Sequence, residues 1–155
     1  MGSITPCLWY DGDAEEAATL YTSVIRNSRI LMVSRAGGRE QDPAMTVSFE
    51  LDGVPFVGLN GGPQYSFTEA VSFQISCADQ AEVDHYWDAL TADGGEEGRC
   101  GWLKDRFGMS WQIVPAVLPT LIGGEDPEGA QRALNAMLGM SKFDIEALES
   151  AYSGG

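Results

Sequence analysis

The sequence is short of positive charge. Its 155 residues carry 9 Lys or Arg against 23 Asp or Glu, a formal net charge of −14. Nucleic-acid binding needs Lys/Arg patches to meet the phosphate backbone, and the few basic residues here are scattered. Anionic membrane surfaces are disfavoured for the same reason. Histidine is scarcer still. His85 is the single one, so a triad of two His and one carboxylate cannot be built within one chain. The cysteines Cys7, Cys77 and Cys100 are odd in number and form no C-x-x-C. That excludes a disulfide framework and a zinc knuckle, and it fits free thiols in a reducing cytoplasm. No apolar run approaches the roughly 18 residues that a membrane span requires. The opening residues lack the basic and long apolar regions of a signal peptide.

What is present describes a globular chain. Hydrophobic residues at 44% and charged residues at 21% rule out disorder. The length suits one domain, or two small modules sharing a core. Ile4 to Tyr10 is apolar and β-prone and stops at Asp11-Gly12-Asp13. Asp13 and Glu16 have the spacing of a capping box, and Ala14, Ala17, Ala18, Tyr21, Val24 and Ile25 follow at helical spacing. Ser28 to Arg35 reads as a strand. Met45 to Leu51 alternates, with Thr46, Ser48 and Glu50 on the polar face. Asp52-Gly53 is a two-residue hairpin signal, and Pro55 to Asn60 returns as the partner strand.

The pattern then starts again. Val71 to Cys77 alternates, with Ser72, Gln74 and Ser76 on one face. Asp79 and Glu82 repeat the capping-box spacing, and Val83, Tyr86, Trp87 and Leu90 follow as a helical stripe closed by Gly94-Gly95. Glu96 to Arg99 is a poorly marked strand. Gly101 to Asp105 and Ser110 to Val114 are two more, joined by a turn. Asp13 to Asp79, Glu16 to Glu82 and Tyr21 to Trp87 all share an offset of 66 residues (for example 79 − 13), which marks an internal repeat. Asp126 with Pro127 opens a C-terminal helix whose apolar stripe is Ala130, Leu134, Met137 and Leu138. Asp144 opens another, with Ile145, Leu148 and Tyr152 inward. Core cover or dimer contact is the expected use of both.

Several segments carry a family resemblance. Ile4 to Ala17, centred on Trp9-Tyr10-Asp11-Gly12, is the first. Phe56-Val57-Gly58-Leu59-Asn60-Gly61-Gly62-Pro63 is the second. The most distinctive runs from Cys100 to Pro115 and contains Trp102-Leu103-Lys104-Asp105-Arg106-Phe107-Gly108-Met109-Ser110-Trp111. Ala136 to Ile145 is the last. Together these resemble the PhnB-like, or 3-demethylubiquinone-9 3-methyltransferase-like, branch of the vicinal oxygen chelate superfamily. That group also holds glyoxalase I, bleomycin-resistance proteins and extradiol dioxygenases. The resemblance implies an α+β fold of two βαβββ-like modules whose curved mixed sheet surrounds a cavity. The expected boundaries are 1–66 and 67–119 for the modules and 120–155 for a helical extension. Thr46/Ser48/Glu50, Ser72/Gln74/Ser76 and Ser110/Gln112 then face the cavity or solvent.

Metal-dependent relatives place four His, Glu or Gln ligands on the first and last strands of each module. The matching positions here are Pro6, Gly58, Ser72 and Gln112. Proline and glycine supply no ligand, and Ser with a neutral Gln is a weak set for a divalent ion. No metal or cofactor is therefore expected. His85 is read as a solvated helix residue, and the cysteines as inert thiols. Glu50 is a candidate base only if it faces the cavity. A literal methyltransferase is disfavoured, because no glycine-rich loop joins a strand to a helix as S-adenosylmethionine enzymes commonly require.

The leading expectation is a cytoplasmic, metal-free small-molecule-binding protein, functioning as a homodimer. Phe56, Asn60, Ser72, Gln74, Trp102 and Gln112 are the expected lining. Asn60 and Gln112 would orient a ligand by hydrogen bonds; Phe56 and Trp102 would supply contact area. Trp9 and Trp111 are expected to face the helices. The acidic charge favours a cationic or aromatic ligand. The rival readings are a drug-sequestering protein of the bleomycin-resistance kind and a glyoxalase- or dioxygenase-type metalloenzyme.

Overall fold

A computed structural model describes residues 3–155. The chain divides into two compact units, the first running to Phe67 and the second Thr68–Gly155.

The first unit contains β1 (Cys7–Tyr10), α1 (Ala14–Val24), β2 (Arg29–Arg35), β3 (Ala44–Leu51) and β4 (Val54–Asn60). The sheet order is β1-β4-β3-β2, with β1 parallel to β4 and the other pairs antiparallel. Alternation on β3 decides the faces: Val47, Phe49 and Leu51 are buried, and Thr46, Ser48 and Glu50 lie on the opposite side. Asp52-Gly53 makes the two-residue turn between β3 and β4, both residues at positive φ. Helix α1 buries Ala14, Ala17, Ala18 and Tyr21 against the apolar face. Small residues on three of those four positions let the helix sit close to the sheet.

The second unit repeats the plan. Strand β5 (Ser72–Cys77) leads to α2 (Gln80–Thr91), then β6 (Glu96–Glu97), β7 (Trp102–Lys104) and β8 (Ser110–Pro115). The order β5-β8-β7-β6, with β5 parallel to β8, is that of the first sheet. The repeat at a 66-residue offset is therefore a repeat of topology. The α2 stripe Val83, Tyr86, Trp87 and Leu90 is buried as the spacing predicts. The N-terminus of α2 is closed at the expected residues: the Glu82 amide donates to Asp79 Oδ1 at 2.9 Å, and Glu82 Oε2 accepts from the amide of Ala78, the residue before the N-cap, at 2.9 Å.

The distinctive segment after β7 is a tight turn built on Asp105. This carboxylate is only 3% exposed. It accepts from the Phe107 amide at 2.9 Å, the Met109 amide at 3.0 Å and Trp111 Nε1 at 2.9 Å. A buried carboxylate needs such donors to offset its desolvation, so this stretch is a structural lock on the β7–β8 hairpin.

Three helices complete the unit: α3 (Leu118–Ile122), α4 (Pro127–Leu138) and α5 (Ile145–Ser153). Leu118, Leu121, Ala133, Phe143 and Leu148 form their core. Asp126 and Asp144 cap α4 and α5. The expected α4 stripe is met in part: Met137 packs on this core and Ala130 and Leu134 are half-buried, but the deepest positions are Gly129 and Ala133, and Leu138 is 54% exposed. Close packing by α5 selects the small residues, because the Tyr152 backbone carbonyl occupies the space where a Gly129 Cβ would lie. The extension is tied to the sheet by main chain. Cys100 and Gly101 amides donate to Met140 and Ser141 carbonyls at 2.8 and 2.9 Å. Among the described residues, no helix is long and apolar enough to cross a membrane.

Candidate functional site

The polar face of the second sheet, on the side away from α2, holds the best-formed cluster of ligand-capable side chains. Residues directly across a ladder project to the same side. Strands β5 and β8 pair Ser72 with Ser110 and Gln74 with Gln112. Strand β7 adds Trp102 opposite Gln112 and Lys104 opposite Ser110. The intervening Cys77, Leu103, Trp111 and Ile113 are buried on the helix side, so alternation delivers the polar set to the other face.

These side chains are linked. Gln112 Nε2 donates to Ser72 Oγ at 2.8 Å, and Gln112 Oε1 accepts from Gln74 Nε2 at 3.1 Å. Gln112 is thus fixed at the centre of a three-residue row, beside the half-buried Trp102. An amide held at both ends is pre-oriented, and pre-orientation lowers the entropy lost on binding. The row presents donors and acceptors but no charge. It can orient a polar group; it has no strong base or nucleophile.

Four of the six expected lining residues are therefore neighbours: Ser72, Gln74, Trp102 and Gln112. The other two need correction. Phe56 lies on the helix side of β4, is 6% exposed and stacks on Phe49 at 5.5 Å between ring centroids. It is core, because β4 alternates and its even-numbered residues meet α1. Asn60 is on that side as well, with both ends of its amide engaged by main chain. Its Oδ1 accepts from the Ala14 amide at 2.9 Å, and its Nδ2 donates to the Ala44 carbonyl at 3.0 Å. It caps α1, a role expected of Asp13, which makes no side-chain cap bond.

Trp9 also departs from expectation. Leu8 and Tyr10 are the buried pair of β1, so Trp9 projects from the opposite face. There its Nε1 donates to the Gly62 carbonyl at 2.9 Å and its ring meets Tyr65 edge-on at 4.9 Å. The indole lies where a Cβ on Gly61 would be, which gives the Gly61-Gly62-Pro63 landmark a packing reason. Trp111 is buried on the helix side as expected.

The fold's metal positions do not fit a metal here. Gly58 turns toward α1, where an added Cβ would come within 3.2 Å of the Ala14 Cβ. Val57 and Leu59 are the residues of β4 on the other face, across from Cys7 and Trp9 of β1. In either register the first module offers at most one thiol, and the second offers Ser72 and Gln112. No group of three or more His, Cys, Asp or Glu capable of holding a metal occurs among the described residues. His85 is exposed on α2 beside Tyr86, and Glu50 pairs with Arg29 at 3.2 Å. Cys77 is buried, and burial, with smaller contributions from Glu82 and Asp79, pushes its thiol up to about 12.

Two modules of the same topology, each with a first strand parallel to its last and a helix on one face, define the vicinal oxygen chelate class. The particular family follows from the sequence: residues 2–114 match the model of the 3-demethylubiquinone-9 3-methyltransferase family, and the chain belongs to that family. The PhnB protein from Bacillus cereus is 29% identical, with a TM-score of 0.67 over 74% of this chain and 100% of its own. Protein PA1353 from Pseudomonas aeruginosa is 18% identical, with a TM-score of 0.62 over 74% of this chain and 98% of its own. The fosfomycin resistance protein FosX from Mesorhizobium loti shares the fold at 12% identity, with a TM-score of 0.54 over 73% of this chain and 90% of its own. No curated protein matches the sequence. The family's name implies S-adenosylmethionine, but neither four-stranded mixed sheet is the doubly wound parallel sheet that holds such a cofactor at a strand–helix turn.

Proposed function

We propose that this protein binds a small organic molecule without a metal, on the polar face of β5, β7 and β8. The observation that carries the reading is the Ser72–Gln112–Gln74 row with Trp102 in register beside Gln112. Small-molecule sites combine apolar contact area with a few fixed polar groups, and this row with its indole has that composition. Catalysis is not part of the proposal, because the row contains no titratable group. The protein works as a cytoplasmic homodimer; the three unpaired cysteines support the compartment.

The test is a small-molecule screen read by amide chemical shifts, with and without EDTA. Expected are ligands that perturb Ser72, Gln74, Trp102 and Gln112 together, insensitive to EDTA, and lost in Gln112→Ala and Trp102→Ala. Ligands that bind only when a divalent ion is added, or only elsewhere, would overturn the reading. Light scattering on a sizing column checks the dimer; a monomer at micromolar concentration would remove it.

A further inference from the structure

Next to Trp102 lies a cleft of about 130 Å³. Its lining includes Glu69, Glu96, Glu97, Trp102, Lys104 and Ser110. At roughly 30 Å³ per liquid water, that is the space of a head group, not of a whole drug-sized ligand.

Two features of the lining are unusual. First, the Ser110 side chain is 1% exposed and its hydroxyl has no hydrogen-bond partner. Buried hydroxyls are nearly always satisfied, and an unmet one costs about 1–3 kcal/mol. Its register opposite Lys104 puts it on the cleft side of β8. Secondly, the charges do not balance. Lys104 Nζ is ion-paired with Glu69. Glu97 Oε1 accepts from Trp87 Nε1 at 2.7 Å. Glu96 stands opposite Lys104 on the same face, where its charge acts on Lys104, and it makes no hydrogen bond or close ion pair among the described residues. The bond to Trp87 turns Glu97 to the helix side, so on the cleft face one cation meets two carboxylates, Glu69 and Glu96, and the whole chain adds a negative field.

We propose that this cleft receives the protonated amine of the ligand, a primary or secondary ammonium attached to a flat apolar group. The ammonium donates to Ser110 Oγ and to the carboxylate of Glu96. Its apolar neighbour lies against the Trp102 indole, where a cation and a ring edge are both favourable. An anion is opposed by the carboxylates, and a quaternary ammonium has no N–H for Ser110. The inference rests on the reading of the Gln112 row as the adjoining part of one site.

Benzylamine tests it, with benzyl alcohol and benzyltrimethylammonium as comparators, titrated into the full-length protein and followed by Trp fluorescence and amide shifts. Benzylamine is expected to bind most tightly of the three and to weaken as salt rises. Glu96→Gln, an exposed change that leaves the core alone, should weaken benzylamine about tenfold and leave benzyl alcohol unchanged. Ser110→Ala should weaken it roughly three- to tenfold while raising the thermal midpoint, because the unmet hydroxyl is removed. Equal affinity for benzylamine and benzyl alcohol, or a benzylamine affinity unmoved by Glu96→Gln, would overturn the amine subsite alone if shifts at Ser72, Gln74 and Gln112 persist. Benzylamine shifting Ser110 and Glu96 but never the row would instead sink the larger site. No response to any of the three overturns the amine subsite, while the Gln112 row stands or falls by the wider screen.

Discussion

The first free amide of α1, at Ala14, is capped by Asn60 Oδ1 from the end of β4, 46 residues away. A contact of such range joins the helix to the sheet more firmly than a local cap, because losing it leaves a helix end and a strand end unsatisfied together. Asn60→Ala should therefore cost about 1–2 kcal/mol of stability, with little change for Asp13→Ala. Urea midpoints of the two variants check the contrast. A larger loss from the Asp13 variant would show that the cap is local after all.

Asp105 serves three donors from one buried carboxylate. Asp105→Ala would strand two amides and the Trp111 indole N–H, and the expected loss is roughly 3–5 kcal/mol. The near-ultraviolet circular dichroism of Trp111 should change with it. A loss under about 1 kcal/mol would mean that water replaces the carboxylate freely.

The thiols should differ sharply. Cys7 is exposed and Cys77 is fully buried, with its thiol pushed up to about 12. At pH 8 iodoacetamide should label Cys7 within minutes and leave Cys77 unlabelled until the protein unfolds. The raised value also sets a sign for stability. The unfolded thiol ionises near 9.0 while the folded one stays neutral, so the contribution is complete below about pH 9 and falls as pH rises toward 12. Cys77→Ala should flatten the decline in denaturation midpoint over that range; an unchanged decline would assign it to other groups.

Gly101 sits at φ +80°, and an added Cβ would meet the Phe143 ring. Its own amide donates to the Ser141 carbonyl, and the adjacent Cys100 amide donates to the Met140 carbonyl. Gly101→Ala should release the 140–143 segment, with faster hydrogen exchange in α5 than in α2. Uniform loss of protection across the second unit would show that the extension and the sheet unfold as one piece.

Much of this was legible in the order of residues. Alternation set the polar and apolar faces of β3, β5 and β8, and the paired D-x-x-E spacings located α1 and α2, because strand and helix periods act over a few residues. The repeat at offset 66, together with the Trp102-to-Trp111 segment, was enough for the fold and the family. Ser72, Gln74 and Gln112 were legible as a face for the same local reason. The alternation Trp102-Leu103-Lys104 could have added Lys104 to that face, but the strand expected around Glu96 to Arg99 was only weakly marked, and its two-residue extent, Glu96–Glu97, and its pairing with Lys104 are set by tertiary structure.

Tertiary structure decided the rest. Which face of β1 and β4 meets α1 depends on packing, so Phe56 and Asn60 went to the helix side and Trp9 to the other. Asn60 took the cap from Asp13 because chain folding brought its amide to Ala14. The α4 face is deepest at Gly129 and Ala133, and at Gly129 the α5 backbone comes too close for any side chain. The orphaned hydroxyl of Ser110 is likewise a property of three dimensions: a serine's partners are set by what lies around it, and the sequence near Ser110 says nothing of what does.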